Sequence, residues 1–293
     1  MAGGEITSKD IQKAELAKTY IWRKSSELTP GLKMFNEESF PSIDAKWAFP
    51  LEVDGEFPVP EGAVARRKRV SYVEFGASME MAEFRYMVTD WAAARGLEAM
   101  THRDMQRRGS EYIAKCQNRQ IIDALYAGAG ATGVTATDEW NSSSAIEDIA
   151  GDITDAWNYI VDESNVDPED QPMYLVYPTL VAGQFKTLRS IENIQQNLQK
   201  YLSSSLNLKF FPTRYYHASS SIGIQDDALL VVPGDNTLMH KVYNGSQMPM
   251  SEVERVFGRG KDFLIKKMFF SKVEPDTQAD VTTDLICKIS GVI

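Results

Sequence analysis

The chain has 293 residues, 43% of them hydrophobic and 25% charged, with a formal net charge of -10 and a pI near 5.0. That length allows a substantial core divided between two subdomains, and the composition excludes a collagen-like or disordered polymer. The acidic balance argues against a protein whose main task is gripping nucleic acid, because that affinity comes largely from Lys and Arg at phosphates; it leaves room for a surface that surrounds DNA without adhering to it.

The two cysteines, Cys116 and Cys287, are far apart and form neither a disulfide framework nor a CxxC metal signature, so a reducing interior is the default. No apolar run approaches the ~18 residues of a membrane span. The start, MAGGEITSKD, lacks the hydrophobic region of a signal peptide. A soluble protein without membrane association is expected.

After Thr7 and Ser8, the residues Ile11, Ala14, Leu16, Tyr20 and Ile21 lie among alternating charges and predict an amphipathic helix that ends at Thr29-Pro30-Gly31. It either packs on its own domain or forms an arm that packs on a neighbour. From Phe35 to Pro60 the prolines at 41, 50, 58 and 60 forbid a long helix. Asp54-Gly55, between Leu51–Val53 and Phe57–Val59, reads as a hairpin tip. A second extended limb follows, in which Val70, Tyr72 and Glu74 alternate with Ser71, Val73 and Phe75. Together they predict a long two-stranded arm, which is marginal alone in water and needs something to lie on. Arg66-Arg67-Lys68-Arg69 is the densest basic run; it reads as a solvated edge or an intersubunit ion-pair site before it reads as a nucleic-acid patch.

A short helix is expected from Thr89, with Gly96 bending the chain before a long helix over Thr101 to Ala127. Thr101 is placed to cap that helix, with Asp104 three residues on. Met105, Gly109, Tyr112, Ile113 and Cys116 fall on one stripe, continued by Ile121, Ile122 and Leu125. At about 1.5 Å per residue this spine is roughly 40 Å long. Beyond it, Ile146, Ile149, Ile153, Ala156, Trp157 and Ile160 predict a helix over 144–163. MYLVYP (173–178) reads as a buried strand, followed by a helix through Leu180, Phe185 and Leu188. Strands are expected in FFPTRYYHAS, ALLVVPG and HKVYNG, and two closing strands joined at Glu274-Pro275-Asp276 complete an α+β chain.

Motifs for chemistry are sparse. Gly128, Gly130 and Gly133 match GxGxxG, but dinucleotide binding needs a strand before the glycines and a helix opening within them, whereas here a helix precedes; they read as a helix stop and turn. His102, His217 and His240 lie in separate elements without paired metal-ligand spacing. Cys116 sits on the apolar stripe, as a structural thiol does. No catalytic, cofactor-binding or metal residue is assigned, and no enzyme activity is expected. A long hairpin, an N-terminal arm and a long spine expose more surface than a monomer of this size covers, which points to assembly with other copies.

The order of these elements resembles the major capsid protein of tailed double-stranded DNA viruses, the Hong Kong 97-like capsid fold. The resemblance rests on IIDALYAGAGATG (121–133), MYLVYPTLVAGQFKTL (173–188), ALLVVPGDNTLMHKVY (228–243) and FGRGKDFLIKKMFFSKVEPD (257–276), in that order and spacing. It implies an N-terminal arm (1–46), an extended loop (47–86), a peripheral domain with the spine (87–149 and 251–293) and an axial domain (150–250). It also implies self-assembly through pentamers and hexamers into an icosahedral shell in the virion, assembled in the host cytoplasm around double-stranded DNA without sequence-specific binding. Portal, scaffold or cement proteins would be partners. Gly76 and Gly96 are candidate hinges. Only about 45 residues precede the loop, so a fused and cleaved scaffold is not expected, and no Lys and Asn pair stands out for covalent crosslinking. An encapsulin-like nanocompartment enclosing cargo enzyme is the first alternative, and a soluble enzyme with an interdomain cleft the second.

Overall fold

The computed structural model describes residues 6–50, 72–129, 133–140, 146–164, 171–191, 194–214, 224, 226–234, 237–246, 248–256, 259–273 and 283–293. The Asp54-Gly55 tip, the basic run at 66–69, Gly130 and His217 lie outside these residues. In chain order the elements are α1 (Ser8–Leu28), β1 (Glu37–Phe40), β2 (Asp44–Pro50), β3 (Tyr72–Ser78), β4 (Glu80–Thr89), α2 (Asp90–Ala94) and α3 (Glu98–Gly128). There follow β5 (Gly133–Thr135), α4 (Ile146–Glu163), β6 (Met173–Pro178), α5 (Ala182–Lys186), β7 (Leu188–Ile191), β8 (Ile194–Asn197) and α6 (Leu198–Ser205). The last are β9 (Leu208–Thr213), β10 (Ala228–Val231), β11 (Leu238–Tyr243), β12 (Ser251–Val256), β13 (Gly260–Val273) and β14 (Ile286–Ser290). The chain is α+β, as its sequence pattern predicts.

Two five-stranded sheets share the spine. In the first the order is β1-β11-β13-β12, with β4 along the other edge of β13; in the second it is β5-β14-β10-β6-β9. Alternation places Ala82, Tyr86, Phe263, Ile265 and Phe269 of the first sheet against α1 and Ile113 of α3. Further along α3, Ile121, Ile122 and Leu125 meet Val176, Leu229, Val231 and Ile286 on one face of the second sheet. The opposite face of that sheet, through Leu175, Leu230 and Ile289, packs on Ile149, Ile153 and Ile160 of α4. One helix therefore spans both cores, and the turn-by-turn change of its buried face is what joins them.

The spine begins earlier than its capping pattern predicts. It starts at Glu98 with Leu97 at the cap position, and the Thr101 hydroxyl donates to the Leu97 carbonyl at 3.0 Å rather than capping a free N–H. Its buried stripe also contains Ser110, Gln117 and Asn118, while Tyr112 is 47% exposed. Gly128 ends the helix, but not by adopting a left-handed conformation: Ala129 follows in the right-handed helical region, and a Cβ at Gly128 would lie 2.4 Å from Cγ2 of Val273. Close approach of β13 is the constraint there. Gly109 is a second such point, where a Cβ would lie 2.7 Å from Cδ1 of Phe84. Gly96, with φ +70°, makes the bend between α2 and α3 that the sequence predicts, and Thr89 caps α2 by accepting from the Ala92 N–H.

Helix α1 packs on its own chain, which answers the alternative left open for it. Its N-terminus is fixed by the Asp10 carboxylate, which accepts from the Thr7 N–H at 2.9 Å and hydroxyl at 2.8 Å, and pairs with Lys261 at 2.7 Å. The buried face is Asp10, Ala14, Ala17, Ile21 and Ser25, whereas Ile11, Leu16 and Tyr20 are exposed. The small residues allow the helix to sit close to α3 at Gly109, and that close packing outweighs the larger side chains on the other faces.

Three further departures are local. The helix predicted through Leu188 is a 3-10 turn over Thr179–Val181 and the five-residue α5, because the chain turns extended at Thr187 and Leu188 opens β7. The closing strands do not form a hairpin: β13 belongs to the first sheet and β14 pairs with β10 and β5 in the second. Strands β1, β4, β5, β7, β8 and β12 and helix α6 have no counterpart in the predicted elements.

A lysine on the helix-facing side of β13 ties the N-terminal segment to both. Lys267 is fully buried between Ile265 and Phe269. Its ammonium shares three protons among four acceptors within hydrogen-bond distance, the Ser26 hydroxyl (2.9 Å), the Ser25 hydroxyl (3.3 Å), Gln117 Oε1 (3.1 Å) and Glu37 Oε2 (3.2 Å). Glu37 Oε2 also accepts from the Ser26 hydroxyl and from Gln117 Nε2. Gln117 Nε2 lies 3.2 Å from His240 Nε2, and the other ring nitrogen of His240 meets the Ser271 hydroxyl at 2.8 Å. Burial pushes the Lys267 ammonium down against the pull of Glu37, and holds His240 down at about 4, so the imidazole is neutral at pH 7.

Removing Glu37, itself partly exposed, leaves the fully buried Lys267 ammonium without its anion. Glu37→Gln is expected to lower stability in urea denaturation by about 3 kcal/mol, while Glu37→Gln with Lys267→Met recovers part of the loss; simple additivity would show that the charges do not act as a unit. The pH dependence has a fixed sign. Since folded His240 titrates near 4 and an unfolded histidine near 6.5, the unfolded chain binds the extra proton first, and stability falls as pH drops from about 6.5 toward 4. His240→Asn is expected to flatten that slope, and an unchanged slope would remove His240 from the account.

Candidate assembly surfaces

The two-stranded arm predicted from the sequence exists over its base. Strands β2 and β3 pair antiparallel from Asp44↔Ser78 to Pro50↔Tyr72, and among the described residues no third strand joins them. Gly76 lies inside this ladder opposite Lys46, so its backbone is that of a strand. At the root, the Ser78 hydroxyl donates to Asp44 at 3.0 Å and the Met79 N–H to the Ile43 carbonyl. Immediately afterwards β4 enters the first sheet, pairing with β13 from Glu80↔Phe269 to Thr89↔Gly260. The ribbon is thus held at one end by a ten-residue strand and leaves the body as a pair, a form that is only marginally stable in water unless it is covered.

Besides those of α1, large apolar side chains are exposed singly at Ile6, Met81, Tyr112 and Leu180 and as a group near the start of α3. Met87, Trp91, Leu97 and Met100, at 37%, 60%, 37% and 61% exposure, cluster in sequence where β4 passes through α2 into α3. Arg95 covers one face of the Trp91 ring at 4.1 Å, and Asp90 is held by a bidentate pair with Arg255 at 2.7 and 2.8 Å. An open groove of about 400 Å³ lies where α1 ends, between α3 and β9, floored by Leu28, Pro30, Ala114, Phe211 and Pro212.

The two described histidines lie in separate elements, as do the two cysteines. His102 meets the Tyr86 hydroxyl at 3.0 Å and His240 belongs to the Lys267 network, about which sequence spacing says nothing. Both described histidines are packed against aromatic rings. Cys116 is half-buried and Cys287 buried, both are free, and burial raises both thiols, Cys287 to about 11. Gly128 ends α3 and Gly133 stands in β5, so a helix precedes the glycines and a strand follows, the reverse of a dinucleotide turn. Among the described residues no group of His, Cys, Asp and Glu is placed to hold a metal ion, and no helix is long and apolar enough to cross a membrane. The sequence reading missed Glu37, Gln117 and Lys267. A lysine inside the apolar run FLIKKMFF was the available signal, because strand alternation turns one of its two lysines inward.

No family model matches the chain, and no curated protein matches it in sequence. Solved structures do match in fold. A virus-like particle from Pyrococcus furiosus aligns with a TM-score of 0.60 at 11% identity, over 94% of this chain and 98% of that one. A protein of Microbacterium phage Oxtober96 gives 0.58 at 11% identity, over 89% and 90%. The capsid of cyanophage P-SCSP1u gives 0.54 at 9% identity, over 87% and 86%. At such identities the likeness concerns the fold alone, and it runs through both sheets and the spine that links them. The chain therefore has the Hong Kong 97-like fold of capsid shell proteins.

Proposed function

We propose that this chain is the major capsid protein of a tailed double-stranded DNA virus, many copies of which close an icosahedral shell. The observation that carries the reading is the near end-to-end correspondence of its fold with virus-like particle and phage capsid chains. The work done is mechanical rather than enzymatic: apolar and backbone groups that one chain leaves open are satisfied by the next. In this reading the ribbon of the extended loop (47–86) lies across a neighbouring copy, because a two-stranded ribbon without a covering surface is marginal. The axial domain (150–250) surrounds the five- and sixfold axes, while the peripheral domain (87–149 and 251–293) carries the spine. Strand β11, within 150–250, pairs with β13 of the 251–293 segment, and β14, within 251–293, pairs with β10 of the 150–250 segment. The N-terminal arm (1–46) contributes α1 as a layer on its own spine and leaves Ile11, Leu16 and Tyr20 for contacts between copies.

The particle is a virion component assembled in the host cytoplasm, with portal, scaffold or cement proteins as partners and no resident cofactor. Size-exclusion chromatography with negative-stain electron microscopy of the recombinant chain tests the proposal. Closed shells, or rings of five and six, are expected; a monomer at every concentration, with crowding agents present, would contradict it. Particles that enclose a protein cargo and no DNA would favour the nanocompartment over the virus.

A further inference from the structure

Helix α1 and the first half of α3 lie side by side on one face of the first sheet, and the faces they turn away from it differ in charge from the rest of the molecule. On α1 the outward positions hold Lys9, Arg23 and Lys24. On α3 they hold Arg103, Arg107, Arg108 and Lys115, all exposed. The acids on the same faces are Glu27, Asp104 and Glu111. Arg23 and Lys24 engage Glu27 at 3.4 and 2.6 Å, but among the described residues no carboxylate pairs with Lys9, Arg103, Arg107 or Arg108.

The other face of the same sheet carries only a slight excess of acids. There Glu38, Glu83, Glu252, Glu254 and Asp262 stand against Arg85, Lys241, Lys266 and Lys272. Arg85 pairs with Glu254 at 3.2 Å and Asp262 at 3.6 Å, Lys266 with Glu252, and Lys241 with Glu38 at 3.2 Å. Charges along a helix ordinarily do no more than keep it in water. In a chain of net charge -10, however, seven cations against three acids on one two-helix surface, with four of the cations lacking an acidic partner, mark a place among the described residues where a polyanion meets little repulsion.

We propose that the outward faces of α1 and the first half of α3 form the surface that meets the phosphate backbone of the double-stranded DNA enclosed by the shell. This rests on the shell reading and adds an orientation to it: the two-helix face looks into the particle, and the ion-paired strand face looks away. The contact is weak and independent of sequence, since it consists of exposed cations at phosphates without base contacts.

The test uses the full-length unassembled chain and a short double-stranded DNA, with affinity followed by fluorescence anisotropy across a salt series. Arg107→Glu with Arg108→Glu is expected to weaken binding at low salt and to flatten the plot of log affinity against log salt by about 2. Arg107→Lys with Arg108→Lys keeps the charge and is expected to bind as the parent does. Lys186→Glu with Lys200→Glu, an equal charge change at exposed sites on α5 and α6, is expected to leave binding unchanged. Equal weakening by the two glutamate pairs would reduce the effect to net charge and overturn the proposal. Unchanged binding by Arg107→Glu with Arg108→Glu would also overturn it, and would leave this face to an acidic protein segment. Failure of the parent chain to form particles would instead count against the shell reading, which keeps the two failures apart.

Discussion

A buried ammonium has to be met by acceptors or it will not stay buried, and Lys267 is met by four groups from three different parts of the chain. Ser25 and Ser26 come from the end of α1, Glu37 from β1 and Gln117 from the middle of the spine. Each is brought to β13 by apolar packing that the charge alone would not specify: Ile21 and Ala17 seat α1, Ile113 seats the spine, and Phe269 closes the site below. The N-terminal segment is therefore not an appendage of this fold. Without residues 25–37 the charged atom at the centre of β13 loses three of its four partners, so the first sheet and the N-terminal helix stand or fall together.

The same hub explains why the spine can serve two sheets. Gln117 and Asn118 are buried at the changeover between them, Gln117 toward Lys267 and Asn118 toward the chain after α1, where its side chain accepts from the Gly31 N–H at 2.9 Å. Above that level the helix is covered by the first sheet and below it by the second. Polar side chains at the changeover fix its register and rotation, and hence the relative setting of the two sheets. Outside this rigid centre the molecule has surfaces that its own chain does not close: the β2–β3 ribbon, the apolar tip around Trp91 and Met100, and the two-helix face with its unpaired arginines. A body that is firmly built inside and incompletely covered outside is what a shell subunit requires.

Much of this was legible in the sequence because it follows local periodicity. The spine, α1, α4, β6 and the bend at Gly96 are each written in the spacing of apolar residues or in a glycine. What was not legible depends on partners distant in the chain. The buried face of α1 is small rather than large, since Gly109 and Phe84 decide how near it can lie. The glycine at 128 is required by Val273 and not by the helix end. Strands β13 and β14 part company because β10 and β5 offer β14 a second sheet. The Lys267 network involves residues up to 242 positions apart, which no window of sequence brings together.

The claim at the centre of this account is that the β2–β3 ribbon is completed by another copy of the chain. Hydrogen–deuterium exchange over residues 44–50 and 72–78, compared between unassembled chain and assembled particle, measures it directly. Fast exchange in the free chain with strong slowing on assembly is the expected result, while β13 is slow in both. Equal protection of the ribbon in the free chain would mean that it is already covered within one molecule, and would contradict the account.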